Sequence, residues 1–179
     1  MTGEPVIIVA YDPAWPEIFE ALRRRIAAAL GPVAKAVEHV GSTAVPGLAA
    51  KPIIDIDVVI ADETALPAAI NGLAAIGYAH QGEKGVAGRH AFAAPAGLAQ
   101  HHLYVCAEGS PELRRHLAFR DRLRAEPDLA AAYGALKQRL AAEYGRDRDG
   151  YTQAKTAFIE AALAAEIRPS GEAGNPSDG

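Results

Sequence analysis

The clearest pattern in the chain is the run Pro52-Ile53-Ile54-Asp55-Ile56-Asp57-Val58-Val59-Ile60, in which β-branched residues predict a buried strand interrupted by two acids. Successive side chains of a strand point to opposite faces, so Ile54, Ile56 and Val58 share one face while Asp55 and Asp57 share the other. Before it, residues 6–10 form a short β-branched run. Asp12-Pro13 then opens a helix, with Asp12 as N-cap and Pro13 at the first helical position. Ile18, Leu22, Ile26 and Leu30 recur every fourth residue until Gly31-Pro32 ends that helix, and residues 33–40 read as a strand leading into a Gly41-Ser42 turn. Asp62-Glu63-Thr64 starts a helix over 65–76, closed by Gly77. A glycine-rich loop over 82–88 precedes two hairpin-like runs, 89–94 and 101–106, joined by the turn signal Ala94-Pro95-Ala96-Gly97. The remainder is helical: one helix from Ser110-Pro111-Glu112, a second over 128–144 after Pro127, and a third over 149–165. These elements predict an α+β fold, a small mixed sheet flanked by helices with a C-terminal helical bundle.

Length and composition set the scale. The 179 residues, half of them hydrophobic, suffice for one domain over 1–165, and 166–179 has the polar, Gly/Pro/Ser-rich composition of a disordered tail. With 18 basic and 22 acidic residues the net charge is −4, so no broad nucleic-acid-binding surface is evident. No apolar stretch approaches the ~20 residues that span a bilayer, and Met1 to Pro5 lacks the pattern of a signal peptide, so the expected location is cytoplasmic. Cys106, the single cysteine, lies in an apolar run and reads as a small core residue.

Chemistry concentrates where Gly41-Ser42 precedes the two acids. Two carboxylates on one strand face repel unless a cation or a wet cleft compensates them, so Asp55 and Asp57 are candidate ligands for Mg²⁺ or Mn²⁺. Gly41 permits close backbone approach to a phosphate and Ser42 offers a hydroxyl. His102, on the later strand, is the candidate third ligand. Arg89, after the glycine-rich loop, is placed to reach a phosphate, or to sit in water at a loop edge. Tyr151 and Lys155, spaced i, i+4, share a helical face: Lys155 either contacts phosphate or snorkels over a packed tyrosine. Glu38 and His39 point to opposite faces of their strand, and the run Arg114-Arg115-His116 with Arg120, Asp121, Arg122 and Arg124 reads as a salt-bridged helix face.

The pattern apolar-Gly-Ser, twelve residues, Asp-apolar-Asp-apolar resembles the signature of the nucleotidyltransferase superfamily related to DNA polymerase β. A longer match is more specific: Glu38 to Ile56, Tyr11 to Pro16, Gly109 to Arg124 and Tyr151 to Lys155 together resemble the GrpB family, whose domain is also found fused to dephospho-CoA kinase. That resemblance implies a nucleotidyltransferase-like fold with a metal at Asp55 and Asp57 and a nucleotide or nucleotide-like small molecule on Gly41 and Ser42, to which Arg89 and Lys155 are further candidates from their own positions in the sequence. It implies no established reaction. Members of the superfamily that transfer nucleotides carry a third carboxylate on a later strand, where residues 101–106 here have none. Two functions follow: a metal-dependent nucleotidyltransferase using an NTP and an unknown acceptor, or a non-catalytic module that binds a nucleotide or CoA precursor.

Overall fold

Five strands form one sheet in the order β1-β2-β5-β4-β3, with β1 at Ala36–Val40, β2 at Ile54–Ile60, β3 at Ala79–His80, β4 at Arg89–Ala93 and β5 at His101–Ala107. This architecture is that of a computed structural model, which describes residues 5–165; the tail expected over 166–179 lies outside the described residues. β2 and β5 run parallel and the other neighbours antiparallel, which makes the sheet mixed. A parallel pair needs a long crossover. Here the crossover carries helix α2 (Leu66–Ala75) and the strands β3 and β4. β3 escaped the sequence pattern because two exposed residues cannot display an alternation.

The two faces of the sheet divide the molecule. Ile54, Ile56, Val58 and Ile60 of β2, with Leu103 and Val105 of β5, pack against Leu22, Ile26 and Leu30 of helix α1 (Trp15–Leu30) and Ala69 and Leu73 of α2. Fully burying each large aliphatic side chain is worth about 1.5–3 kcal/mol, so this face anchors β2 in one register and leaves its alternate residues facing the other way. Over that other face lie helices α3 (Pro111–Ala125), α4 (Pro127–Tyr144) and α5 (Arg148–Ala165), which bury Leu123 and Tyr133 among Phe119, Phe158 and the loop residues Val45 and Leu48.

Local chemistry shifts several element ends. Helix α1 begins at Trp15 rather than at Pro13, because Asp12 turns back on Ala14: its Oδ1 accepts the Ala14 N–H at 2.8 Å and its carbonyl accepts that of Trp15 at 3.1 Å. Residues 6–10 form no strand beyond a single bridge between Val9 and Ala50. β1 starts at Ala36 because Gly31–Val33 winds into a 3₁₀ turn at Pro32. Asp62 and Ser110 cap as their sequence contexts predict, accepting the N–H groups of Thr64 at 2.8 Å and Leu113 at 3.4 Å. Cys106 is buried, and burial first, then the charge of Asp57, pushes its thiol up to about 12. No helix among the described residues is long and apolar enough to cross a membrane.

Candidate functional site

β1 ends at Val40, and Gly41 turns the chain sharply with φ +72° before a single 3₁₀ turn, Ser42–Ala44. The expected Gly-Ser turn is present, but it opens 3₁₀ and not α-helix. An L side chain is strained at that φ, and a Cβ on Gly41 would also run into the Asp55 carboxylate. Glycine is thus what lets the turn press against β2.

The register places Asp55 beside His102 and Asp57 between Glu38 and Tyr104. His102 Nδ1 lies 2.9 Å from Asp55 Oδ1. Asp57 is fully buried; its Oδ2 is 2.6 Å from Nδ1 of His116, which reaches down from α3, while its Oδ1 makes no hydrogen bond. Nε2 of His116 faces Glu112 Oε2 at 3.6 Å. Burial opposes the imidazolium of His116, but the hydrogen bond and charge of Asp57, with Glu112 adding to them, outweigh it and hold its pKa above the ordinary value.

His116 stands outside the candidates from sequence, because the run around it reads as a salt-bridged helix face. The signal was a stripe: Leu113, His116, Arg120 and Leu123 recur at helical spacing, and Leu113 and Leu123 are buried. Arg120 on that stripe donates to Glu38 at 2.7 Å and to the carbonyl of His39 at 3.1 Å, tying α3 to β1. Glu38 and His39 do face opposite ways. His39 stacks on Phe19 with ring centroids 4.5 Å apart, on the core side, where burial and the nearby Arg124 guanidinium lower its pKa to about 4.

Facing the acids is a cluster of amines. Lys155 Nζ and Lys51 Nζ sit over the same Tyr151 ring, at 4.8 and 4.7 Å from its centroid, and Lys137, only 2% exposed, lies 4.7 Å from the Tyr133 ring and donates to the Ala49 carbonyl at 2.5 Å. Burial, then the charge of Lys155, lowers Lys137 to about 7; burial, then Lys51, lowers Lys155; burial, then Arg148, lowers Lys51. Lys155 therefore rests on Tyr151, as the snorkelling alternative has it, and lines the cleft. Lys51 and Lys137 were not singled out in the sequence, although a lysine in the buried stripe Tyr133, Gly134, Lys137, Leu140 of α4 breaks the apolar pattern.

A cleft of about 450 Å³ gathers Gly41, Ser42, Asp55, Arg89, His102 and Lys155, all of them candidates from sequence, with Lys51, Lys137 and His116. Asp57 lies behind its wall, held by His116. Arg89, on β4, lays its guanidinium 4.4 Å from the Tyr104 ring centroid. A larger groove of about 750 Å³ runs between residues 45–49 and α3 and α4, lined by apolar residues with Arg124 and Gln138, and it lacks paired acids and amines. The chemistry therefore belongs to the smaller cleft.

Among the described residues no group of three or more His, Cys, Asp or Glu is disposed to hold a metal ion. The donor set instead fits a hard cation held by two carboxylates, with the unpartnered Oδ1 of Asp57 as one oxygen and the remaining positions left to a ligand's phosphates or to water, which is the usual mode for Mg²⁺.

A mixed sheet that carries a Gly-Ser turn against an Asp-x-Asp strand defines a nucleotidyltransferase-like fold. The crystal structure of the Cid1 poly(U) polymerase with MgGTP bound superposes with a TM-score of 0.52 at 14% identity, covering 75% of this chain and 44% of that one, a likeness of fold alone. Within that class the chain belongs to the GrpB family, whose model, described as GrpB protein, matches residues 5–165. The crystal structure of the conserved protein GrpB from Enterococcus faecalis is similar at 34% identity and a TM-score of 0.78, over 90% of this chain and all of that one. The UPF0157 protein YqkA of Bacillus subtilis is 38% identical over 157 residues, 88% of this chain and 46% of its own length. A dephospho-CoA kinase of Mycolicibacterium paratuberculosis is 32% identical over 178 residues, 84% of this chain and 43% of that protein. The chain thus spans under half the length of both these relatives.

Proposed function

We propose that the protein is a metal-dependent nucleotidyltransferase, whose cleft binds the polyphosphate of an NTP between the lysines and the aspartate pair. One observation carries the reading: amines with depressed pKa values and the strand carboxylate Asp55 face a single cleft, with the buried Asp57 next to Asp55 just behind its wall, an arrangement stabilised by a ligand that brings both phosphate and a divalent cation. Asp55 and Asp57 would hold Mg²⁺ or Mn²⁺, with His102 flanking Asp55, and the ion would polarise the phosphate under attack. Gly41 and Ser42 line the phosphate path, and Lys51, Lys137 and Lys155 neutralise charge on the leaving pyrophosphate. His116 holds Asp57 in place. An acceptor hydroxyl oxygen bonds to the α-phosphorus as the α–β phosphoanhydride bond breaks, pyrophosphate leaves with the bonding pair, and the hydroxyl proton passes to the aspartate pair or to water.

The register favours a second reading. The residues on β5 opposite Asp55 and Asp57 are His102 and Tyr104, neither a carboxylate. A cleft without that third acid suits a module that binds a nucleotide or CoA precursor without transferring it. Mn²⁺ and NTP titrations of the wild type and of Asp55→Asn/Asp57→Asn, followed by release of labelled pyrophosphate, separate the two. Binding with turnover supports the transferase, binding without turnover supports the module, and equal Mn²⁺ binding by both proteins refutes the aspartate site.

A further inference from the structure

The cleft has two cationic ends. At one, Lys51, Lys137 and Lys155 gather around Tyr151 and Tyr133. At the other, Arg89 from β4 stacks on Tyr104, and Arg115 from α3 is drawn toward α5 by Glu160. Both arginines line the cleft, and the Nε–H of each is buried and makes no hydrogen bond. A buried donor without a partner costs free energy comparable to a lost hydrogen bond, so two such donors on the wall of one cleft mark the place of an acceptor group. His116 lies at the same end, and the charge of Arg89 is felt there and at Tyr104, whereas the lysines act on one another and on Asp55. The arginines and the lysines thus sit around different tyrosines of the one cleft, and Asp55 acts on both Tyr104 and the lysines. Guanidinium N–H groups suit a planar or tetrahedral oxyanion better than any neutral acceptor.

We infer that the arginine end, Arg89 and Arg115 beside Tyr104 and His116, binds the oxyanion of the acceptor, and that the acceptor is a small hydroxyl-bearing phosphomonoester. The anion site stands on the unpartnered donors alone; the transfer step rests on the proposed nucleotidyltransferase reading. With its phosphate at the arginines and the NTP polyphosphate at the lysines, the acceptor would present its hydroxyl to the aspartate pair. The hydroxyl oxygen then bonds to the α-phosphorus, the phosphoanhydride oxygen departs with pyrophosphate, and the product is a phosphodiester that keeps the acceptor's own phosphate.

The test uses glycerol 3-phosphate as probe, glycerol as the uncharged control, and a non-hydrolysable NTP analogue with Mg²⁺, in calorimetric titrations and thermal shift on the full 179-residue chain. Glycerol 3-phosphate is expected to bind wild type where glycerol does not, and to bind equally well when the NTP analogue is saturating. Arg89→Gln should weaken the phosphomonoester at least tenfold while leaving the analogue's affinity within twofold, and Lys155→Ala should do the reverse. Arg89→Lys, which keeps the charge but loses the Nε donor, guards against a folding artefact and should give an intermediate loss. Displacement of glycerol 3-phosphate by the analogue, an unchanged affinity in Arg89→Gln, or no phosphomonoester binding would each overturn the assignment. If the analogue fails to bind while glycerol 3-phosphate still binds through Arg89, the nucleotidyltransferase reading falls and the anion site survives.

Discussion

Replacing Lys137 with methionine should stabilise the protein at neutral pH while removing its affinity for polyphosphate. Lys137 is 2% exposed, and its pKa is lowered from 10.5 to about 7, mainly by burial. At ~1.36 kcal/mol per unit, that displacement means the folded state penalises the ammonium by about 5 kcal/mol. Methionine fills the same slot without the charge but leaves the Ala49 carbonyl without its donor, a loss of about 1–3 kcal/mol. The net gain is then about 3 kcal/mol at pH 6–7, or a rise in Tm of roughly 6–12 °C for a domain of this size. The sign in pH follows from linkage. Below pH 7 the lysine is protonated in both states and the whole penalty applies. Between about 7 and 10.5 the unfolded chain holds the proton more tightly than the folded one, so wild-type stability rises with pH and the advantage of Lys137→Met fades. Urea unfolding of both proteins from pH 6 to pH 10 measures this directly. Pyrophosphate binding at pH 8 should likewise be accompanied by proton uptake in wild type, seen as a buffer-dependent calorimetric heat, and not in the variant. A Lys137→Met protein less stable than wild type at pH 7, or a stability difference flat across that range, would refute the account of Lys137 as an amine whose burial its bond to Ala49 does not offset.

Gly41→Ala should cost about 1–3 kcal/mol from the positive φ and displace the Asp55 carboxylate, so Mn²⁺ affinity falls well beyond what the lost stability explains; electron paramagnetic resonance of Mn²⁺ with urea unfolding separates the two effects. The His116 imidazole, raised by Asp57 and Glu112 against its own burial, should titrate by NMR above 6.5 and return toward or below that value in Asp57→Asn. Its contribution to stability is complete below 6.5 and is lost as the pH rises through its folded value, so Asp57→Asn should narrow its stability gap to wild type at alkaline pH.

Local pattern was enough for much of this protein. The alternation in Ile54-Asp55-Ile56-Asp57-Val58 determined which face of β2 enters the core, because a strand's period is two and the β-branched residues have only one favourable place to go. The Gly-Ser turn and the motif around it pointed to the fold class and the family, and six of the seven candidate site residues line one cleft, with Asp57 just behind it. Short elements were not legible: β3 has two residues, and the start of α1 was decided by a side-chain turn at Asp12 that competes with the cap. Tertiary structure alone decided which charges meet. His116 and Asp57 are 59 positions apart and Lys137 and Ala49 are 88 apart, so nothing in their local sequence marks the pairing. What makes His116 a partner of Asp57 and Lys137 a buried amine is the packing of α3 and α4 over the acidic face of the sheet, which removes water from groups that would otherwise be ordinary surface charges.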